Sequence, residues 1–325
     1  MAGSNIPEPV TAVTDLAGSW LPLGLQEVEQ RLREIVAAAG GLAPEAESTL
    51  AAGGKRMRPL LVLLCAGRPA QEGGIRAATA VELVHMATLV HDDVLDSAPL
   101  RRGRPTVVAA AGRGRALATG DLLLSRAFAE LLPSPEAESQ VMALAGASVS
   151  LARGELAQRQ DAFRTDVSAE RYLQRCRLKT AALFECACVI GRERPAAARV
   201  ALERFGGEIG LAFQLLDDVL DVVGPSERTG KARGTDLLDG TVTLPMIRAG
   251  ERDPELKSID LHALDGAAAE GLCDRIAASG ATEAVRGEAR DRVERAKQGL
   301  REAPIEHVDQ KLFELVADGV VERYS

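Results

Sequence analysis

The pentapeptide DDVLD occurs twice in this chain, at residues 92–96 and 217–221, and each copy lies inside an apolar stretch. The surrounding sequences read LVHDDVLD and QLLDDVLD, so three carboxylates stand where a hydrophobic core segment is expected. Burial of anions without partners is costly, so a cationic group must lie between the two motifs. The fold therefore has to bring two distant segments together around positive charge.

Helical periodicity recurs along almost the whole sequence, and alternating strand patterns are nearly absent. Residues 25–40 read as an amphipathic helix that places Val28, Leu32 and Val36 on one face. Further helices are predicted at about 56–66, 75–96, 115–132, 136–161, 168–190, 195–223, 240–250, 259–279, 281–302 and 304–323. Clusters of Gly and Pro separate these helical segments, and none of the clusters resembles a linker between domains. We therefore predict an all-α fold with a flexible N-terminal segment at residues 1–22 and one domain at residues 23–325.

The composition argues against several classes of protein. The longest apolar run, LLVLLCAG at residues 60–67, is far shorter than the ~20 residues that a membrane-spanning helix needs. The N-terminus lacks a basic segment followed by an apolar one, so no signal peptide is expected. The five cysteines have no CxxC spacing and lie mostly among apolar residues, which favours buried free thiols in a cytoplasmic protein. A net charge of −8 argues against general nucleic-acid binding.

The spacing of the acidic residues predicts a metal site. Residues four apart on a helix share a face, so Asp92 and Asp96 point in one direction, as do Asp217 and Asp221. Carboxylates without nearby Cys or paired His ligands favour magnesium, which completes its shell with water and substrate phosphates. A single DDxxD motif could be a solvated face, but two copies in apolar surroundings favour a metal-bridged site for a phosphorylated ligand. The pattern does not match a calcium loop.

Basic residues occur where such a ligand would need them. Lys55 and Arg58 flank a turn in AGGKRMRPLL, and Arg101 and Arg102 follow the first acidic motif directly. Guanidinium groups bind phosphate in a bidentate fork, and lysine adds a point charge. The other polar residues of this set are Lys179 and Thr180 in an apolar helix, Gln214 about one turn before the second motif, and Lys231 in a Gly-rich loop. Ordinary surface solvation does not account for such a collection around two acidic motifs.

These motifs, in this order, resemble the trans-polyprenyl diphosphate synthases, which elongate isoprenoid chains head to tail. The resemblance runs from GGKRMRP at residues 53–59 to GTVTLP at residues 240–245, and it includes ELVHMATLVHDDVLDSAPLRRGRPT, LKTAALF, GLAFQLLDDVLD and GKARGTDL. It implies a single-domain isoprenoid-synthase helical bundle with a central apolar cavity, and it identifies residues 23–325 as the polyprenyl diphosphate synthase domain. The implied reaction is the magnesium-dependent condensation of isopentenyl diphosphate with an allylic diphosphate to an all-trans polyprenyl diphosphate.

The resemblance also implies a role for each matching residue. The diphosphate of isopentenyl diphosphate would be held by Lys55, Arg58, His85 and Arg102. The ligands of three magnesium ions on the allylic diphosphate would be Asp92, Asp96 and Asp217. Supporting acids, holding metal-bound water or neighbouring cations, would be Asp93, Asp218 and Asp221. The allylic side would be completed by Arg101, Lys179, Thr180, Gln214 and Lys231.

The implied mechanism follows from charge. Metal ions and basic groups stabilise the departing diphosphate, so the allylic C–O bond ionises and the double bond of isopentenyl diphosphate attacks the cation. Lys179, Thr180 and Gln214 are the catalytic candidates, and the released diphosphate is the implied base, so no protein general base is named. Thr241 stands where relatives often carry a lysine, which leaves one allylic-side contact open.

The helix that carries the first acidic motif sets the expected product length. The growing tail should run from Asp92 toward the N-terminus of this helix, where each turn of ~5.4 Å is similar to an extended isoprene unit. Ala87 and Thr88 lie one turn below Asp92, and Leu83 and Val84 lie one turn further. Short-chain relatives tend to carry Phe or Tyr at the Ala87 position, so alanine favours a medium or long product.

Several alternatives stay open or can be weighed from the sequence. Geranylgeranyl diphosphate is the alternative product if Leu83, Leu122 or Phe128 closes the tunnel. A class I terpene cyclase needs a second motif with Asn or Asp, Ser or Thr, and Glu, but the second motif here is DDVLD and Asn5 is the only asparagine. Regulatory subunits of heteromeric synthases usually lose acidic or basic motifs, so in a heteromer this chain would be the catalytic subunit. A helical scaffold would not need these retained motifs, and a homodimer is implied by the resemblance alone.

Overall fold

The structure is a computed structural model, and it describes residues 8–68, 71–192, 194–224 and 233–322. Helices form nearly all of the regular structure in these ranges. They are α1 Glu8–Ala17, α2 Trp20–Ala37, α3 Ala43–Ala51, α4 Met57–Ala66, α5 Glu72–Leu95, α6 Val107–Ala111, α7 Arg113–Leu131, α8 Ala137–Asp161, α9 Ala169–Cys176, α10 Ala182–Val189, α11 Ala196–Val223, α12 Thr235–Leu238, α13 Leu244–Arg252, α14 Gly266–Ala278, α15 Ala281–Arg301 and α16 His307–Glu322. The predicted all-α fold is confirmed.

Three other kinds of element complete the described chain. A single π-helical turn, Arg177–Ala181, joins α9 to α10, and we call it the π segment. Two-residue strands β1 Leu100–Arg101 and β2 Arg104–Pro105 pair as an antiparallel hairpin directly after the first acidic motif. Short 3-10 helices occur at Gly40–Leu42, Pro254–Ser258 and Leu261–Ala263.

The N-terminal region differs from the sequence expectation. The sequence predicts a flexible segment at residues 1–22, whereas α1 covers Glu8–Ala17 and α2 begins at Trp20. Val13 and Ala17 of α1 and Leu21 of α2 are buried in the main core, and their spacing of four residues places the first two on one face of α1. The buried apolar face explains why this region is ordered as helix from Glu8 onward.

One predicted helix is shorter than its pattern suggests. The apolar periodicity predicts a helix at residues 259–279, but α14 begins only at Gly266. The carboxylate of Asp265 accepts a hydrogen bond from the backbone N–H of Ala268, which makes Asp265 the N-cap of this helix. The capping residue therefore sets the boundary that periodicity alone could not locate.

Helix α5 is the central element of the fold. Side chains on all of its faces are buried, from Ile75 near its start to Val94 at its end. A helix that is apolar all round lies in the interior, and α5 packs against α2, α4 and α7. Its C-terminal end carries the first acidic motif. Helix α11, which carries the second motif, packs against α10 and α15.

Glycines let two helices approach the π segment closely. A Cβ added at Gly154 of α8 would lie 2.7 Å from Cα of Lys179, and one at Gly210 of α11 would lie 2.7 Å from Cα of Ala181. Backbone atoms cannot move aside as the end of a long side chain can, so neither position has room for a larger residue. Helices α8 and α11 therefore contact the π segment on two sides.

The cysteines agree with the sequence expectation. All five cysteines are buried free thiols. None of the helices in the described ranges is both long and apolar enough to cross a membrane.

Candidate active site

The two acidic motifs lie at the C-terminal ends of two long helices. Asp92 and Asp93 belong to the last turn of α5, and Asp96 follows its end. Asp217 and Asp221 lie in the last two turns of α11. The C-terminal end of a helix carries partial negative charge, so carboxylates placed there depend strongly on nearby cations.

Both motifs contribute to one polar cavity of about 240 Å³. Asp96 lines it from the first motif, and Asp217 and Asp218 line it from the second. The other predicted site residues on its wall are Arg101, Lys179, Thr180 and Gln214. Asp221 is not on this wall; its carboxylate accepts a hydrogen bond of 3.2 Å from the backbone N–H of Asp236. The structure thus brings the two acidic motifs and four of the predicted polar residues into a single chamber.

A larger and mainly apolar cavity of about 500 Å³ lies between α5, α7 and α8. From α5 it is lined by Val84, Ala87, Thr88, His91 and Asp92, and from α7 and α8 chiefly by Leu117, Leu124 and Leu151. Lys179 lines both cavities, so the apolar chamber meets the polar one at this residue. Leu83, Leu122 and Phe128 are not among the lining residues.

Lys179 is held at this junction by a carboxylate that the sequence analysis did not single out. Its Nζ donates to Glu155 of α8 and lies 3.9 Å from Oδ2 of Asp92. Burial opposes ionisation of Glu155, but Lys179 and Arg159 outweigh it and lower the pKa of this carboxyl. Burial dominates at Asp92 and raises its pKa to about 6. An ammonium therefore lies against the first acidic motif, as the cost of burying these carboxylates requires.

Arg159 is the second cation that the sequence did not reveal. Its guanidinium pairs with Asp96 and, at 2.7 Å, with Glu155. Both arginine and glutamate lie on α8, one turn apart, on the face that meets the active site. Nothing in the local sequence distinguishes this pair from an ordinary pair on a helix surface.

A buried hydrogen-bond chain fixes the polar residues opposite the first motif. The hydroxyl of Thr180 donates to Oε1 of Gln214 at 2.7 Å, and Nε2 of Gln214 donates to Oδ1 of Asp218 at 2.8 Å. The hydroxyl of Tyr172 donates to the other oxygen of Asp218. Burial raises the pKa of Asp218 to about 7, against the effect of these two donors. Both carboxylate oxygens of Asp218 are thus already engaged by protein groups.

The hairpin after α5 directs two neighbouring arginines to opposite sides. Arg101 donates to Oδ1 of Asp93 at 2.8 Å, so these two side chains form an ion pair. Arg102, at φ 52° between the two strands, donates instead to the carbonyl of Gly53. Arg101 is the last residue of β1 and Arg102 lies in the left-handed turn that follows it, so the reversal of the backbone sends the two side chains in different directions.

Arg58 and His85 lie near the loop at residues 53–56, and both are affected by burial. Burial lowers the pKa of Arg58 to about 10, against the opposing effect of Glu82, and its guanidinium lies 4.5 Å from the centre of the Phe184 ring. Nε of Arg58 is buried and makes no hydrogen bond to the described residues. Burial, followed by the charge of Arg58 and other arginines, holds the pKa of His85 well below 6.5. The neutral imidazole and the under-satisfied guanidinium are suited to receiving an anion.

A second ion-pair chain supports this loop. Arg56, at φ 50°, donates to Glu82 of α5 at 2.7 Å and to Glu29 of α2 at 3.0 Å. A Cβ at Gly54 would meet the Arg56 guanidinium at 2.8 Å, so the glycine leaves room for this pairing. Glu82 is buried in an apolar helix and was not anticipated from the sequence, because its partner lies in a distant turn.

Two of the residues named from the sequence need separate mention. Lys231 lies outside the described residues. Thr241 lines the polar cavity, and its backbone N–H donates to the carbonyl of Asp236 at 2.7 Å.

Comparison with known proteins gives a consistent result. Residues 42–276 match the family model described as polyprenyl synthetase. The chain is 42% identical over 239 residues to heptaprenyl diphosphate synthase component 2 of Geobacillus stearothermophilus, covering 71% of this chain and 74% of that one. It is 35% identical over 315 residues to a short chain isoprenyl diphosphate synthase of Methanothermobacter thermautotrophicus, covering 91% and 95%.

The solved structures agree with the sequence relatives. A polyprenyl synthase from Caulobacter crescentus CB15, crystallised with calcium and isoprenyl diphosphate, superposes with a TM-score of 0.88 at 32% identity. The superposition covers 97% of this chain and 98% of the other.

Proposed function

The chain belongs to the polyprenyl synthetase family and is a trans-prenyltransferase, and from this premise we propose that it condenses isopentenyl diphosphate with an allylic diphosphate in the two cavities described above. One observation carries the assignment of the site. Lys179 lies on the wall of both a polar chamber with two acidic motifs and an apolar chamber of about 500 Å³. A charged head group and a hydrocarbon tail would need this arrangement of adjoining polar and apolar space.

Magnesium fits the carboxylates of the polar chamber together with Asp92, which lies on the wall of the adjoining apolar chamber. In the described ranges, no three His, Cys, Asp or Glu side chains form a ready-made ligand group for one ion. Magnesium does not need one, because it usually takes one or two protein carboxylates and completes its shell with phosphate oxygens and water. We assign Asp92, Asp96 and Asp217 as the ligands of three ions with the allylic diphosphate. When bound, these ions would stabilise negative charge on the departing diphosphate.

The protein's own groups would bind both substrates and stabilise the charges that form. Lys179 and Arg101 lie where they can neutralise the allylic diphosphate as it leaves. Thr180 and Gln214 line the chamber in which the allylic cation would form, and their oxygen atoms would stabilise it. Isopentenyl diphosphate would bind at Lys55, Arg58, His85 and Arg102, with Lys231 completing the allylic side.

A medium or long product is the proposal that the apolar cavity supports best. Ala87 and Thr88 line it and leave it open one turn below Asp92, and Val84 lines it one turn further. Leu83, Leu122 and Phe128, which could have closed the tunnel, are not on its wall. Geranylgeranyl diphosphate is the alternative, with Leu117, Leu124 or Leu151 as the end of the chamber.

A homodimer is proposed from an exposed apolar face on α7 and α8. Met142, Val149 and Leu156, spaced by seven residues along α8, are 69%, 51% and 59% exposed. Leu132, at the end of α7, is 68% exposed. Large exposed apolar side chains that form a patch mark interaction sites. The alternative is a heteromeric synthase in which this chain is the catalytic subunit, since the Geobacillus stearothermophilus relative is named as one component.

The buried free thiols support placement in the cytoplasm.

The test is product analysis of the purified protein with magnesium, labelled isopentenyl diphosphate, and farnesyl or geranylgeranyl diphosphate as primer. We expect chains longer than geranylgeranyl, no product with a chelator, and a mass of two chains by sedimentation. Asp92→Asn should slow elongation on the order of a hundred-fold. Asp166→Asn is the matched control, because that side chain is 70% exposed and pairs only with Arg164 among the described residues. Elongation that persists in the chelator would refute the metal assignment, and elongation only with an added second subunit would establish the heteromer.

A further inference from the structure

We propose that Asp218 and Tyr172 are positioning residues that fix which atoms of Gln214 and Thr180 face the reacting centre. The inference rests on the proposed placement of the allylic cation beside Thr180 and Gln214. It gives Asp218 a different task from the metal-side support that the family resemblance implies. The structural basis for the inference is the hydrogen-bond chain that runs from Tyr172 through Asp218 and Gln214 to Thr180.

The direction of every hydrogen bond in the chain follows from Asp218. An ionised carboxylate can only accept, whereas an amide side chain has one donating end and one accepting end. Nε2 of Gln214 therefore faces Asp218, at 2.8 Å, and its Oε1 must face Thr180, at 2.7 Å.

The consequence at Thr180 is a fixed polarity. A threonine hydroxyl has one proton and two lone pairs, and the proton is used in the bond to Gln214. Thr180 also lines the polar cavity, so it presents an oxygen without a hydrogen on that side. A lone pair attracts a developing carbocation, whereas a hydroxyl hydrogen would repel it. If the directions of these hydrogen bonds were reversed, the hydroxyl hydrogen of Thr180 would face the cavity in place of a lone pair.

Tyr172 fixes the carboxylate from the far side. Tyr172 and Asp218 are only 1% and 2% exposed, and the phenol keeps its proton because burial raises its pKa well above 10. The Tyr172 ring lies 5.3 Å from the guanidinium of Arg175, which in turn donates to the carbonyl of Val242 at 2.7 Å. With both oxygens of Asp218 engaged by neutral donors, this carboxylate is set up to orient Gln214.

The decisive experiment exchanges the acid and the amide. Asp218→Asn introduces a donor beside Gln214, so the amide of Gln214 can turn and the hydroxyl of Thr180 can point into the cavity. Gln214→Glu places two carboxylates in contact. The double variant restores an acceptor facing Thr180, because the carboxylate now at position 214 takes hydrogen bonds from both neighbours.

We expect kcat at pH 8 with saturating magnesium to fall about ten-fold in each single variant, the size of one misplaced buried hydrogen bond. KM for both substrates should stay within about two-fold, and the double variant should regain most of the lost kcat. Tyr172→Phe should lower kcat by a smaller factor of about three. Melting temperatures identify variants that fold, so that kcat is compared only among those.

The possible outcomes separate this inference from the proposed function. A double variant as slow as the product of the two single losses would overturn the polarity argument while leaving the synthase activity in place. A Tyr172→Phe protein with unchanged kcat would remove Tyr172 from the proposal. If the wild-type protein itself elongates no primer, the proposed function fails first, before any variant is measured.

Discussion

A bulky residue at position 87 should shorten the product, and the same residue one turn further along α5 should shorten it less. Ala87 and Val84 both line the apolar cavity, on the side of α5 that continues from Asp92. A phenylalanine at either position would fill part of the 500 Å³ chamber and stop the growing tail. The two variants therefore act as stops at two depths.

The spacing of these stops can be worked out from helix geometry. At 1.5 Å per residue, Ala87 lies about 7.5 Å and Val84 about 12 Å along the axis from Asp92. The difference of about 4.5 Å is close to the length of one extended isoprene unit, which spans four carbon–carbon bonds of about 1.5 Å each. We therefore expect the main product of Ala87→Phe to be one isoprene unit shorter than that of Val84→Phe, and both to be shorter than the wild-type product.

The assay is mass analysis of the dephosphorylated prenyl alcohols after elongation from farnesyl diphosphate. Leu83→Phe is the matched control, because Leu83 neighbours Val84 but is not on the cavity wall. It should leave product length unchanged and instead cost about 1–3 kcal/mol of stability by overpacking the core. Equal shortening by Leu83→Phe, or identical products from the two stops, would show that the tail does not follow this face of α5.

Three further expectations concern stability and substrate affinity. The pKa of His85 in the folded chain lies well below 6.5, so the unfolded chain binds the proton first and stability falls as the pH drops below about 6.5. His85→Gln should remove this loss of stability, which amounts to at most about 1.4 kcal/mol per pH unit. The measurement compares the urea midpoints of both proteins at pH 7 and pH 5.5. An equal drop in midpoint for the two proteins would contradict the prediction. Glu82→Gln should cost about 3 kcal/mol and raise KM for isopentenyl diphosphate, because it leaves a half-buried arginine without its main partner. Glu29→Gln, at a carboxylate that is 30% exposed, should cost less than about 1 kcal/mol, and equal losses in denaturant titrations would count against the role of the buried pair. Gly154→Ala should destabilise the protein by about 1–3 kcal/mol through its clash with the π segment, as measured by thermal melting. Gly146→Ala, in the same helix with open space around it, should instead add about 0.5–1 kcal/mol, so a gain at both positions would refute the close approach.

Much of the site could be predicted because its chemistry is repeated in local motifs. The spacing of Asp92 and Asp96 is visible in the chain itself, and so is the apolar context that makes their charge costly. The all-α fold followed from periodicity in the same way. Arg102 and Lys179 stood out because they occur beside a motif or inside an apolar helix.

The residues that were missed act through partners distant in sequence. Glu155 and Arg159 look like an ordinary helical pair, and only the packing of α8 against the π segment turns them toward Lys179 and Asp96. Tyr172 gains its role from contact with Asp218 across 46 positions of sequence. Tertiary contacts of this kind leave no periodic signal. The N-terminal helix was missed for a related reason, since its short apolar face is stabilised by the core against which it packs.

The π segment has a consequence for rotational phase along its helix. Tyr172 and Phe184 are twelve residues apart, and at about 100° per residue a continuous α-helix would place them about 120° apart. The wide turn at Arg177–Ala181 absorbs roughly one residue, which reduces the offset to about 20°. Both aromatic rings can therefore point to the same interior although the helix around them keeps its ordinary pitch. A one-residue deletion that closes this wide turn into a regular α-helix would therefore keep the two rings in phase, with an offset of about 20°. Closing the turn while all twelve residues remain would rotate one buried ring about 120° away from the other.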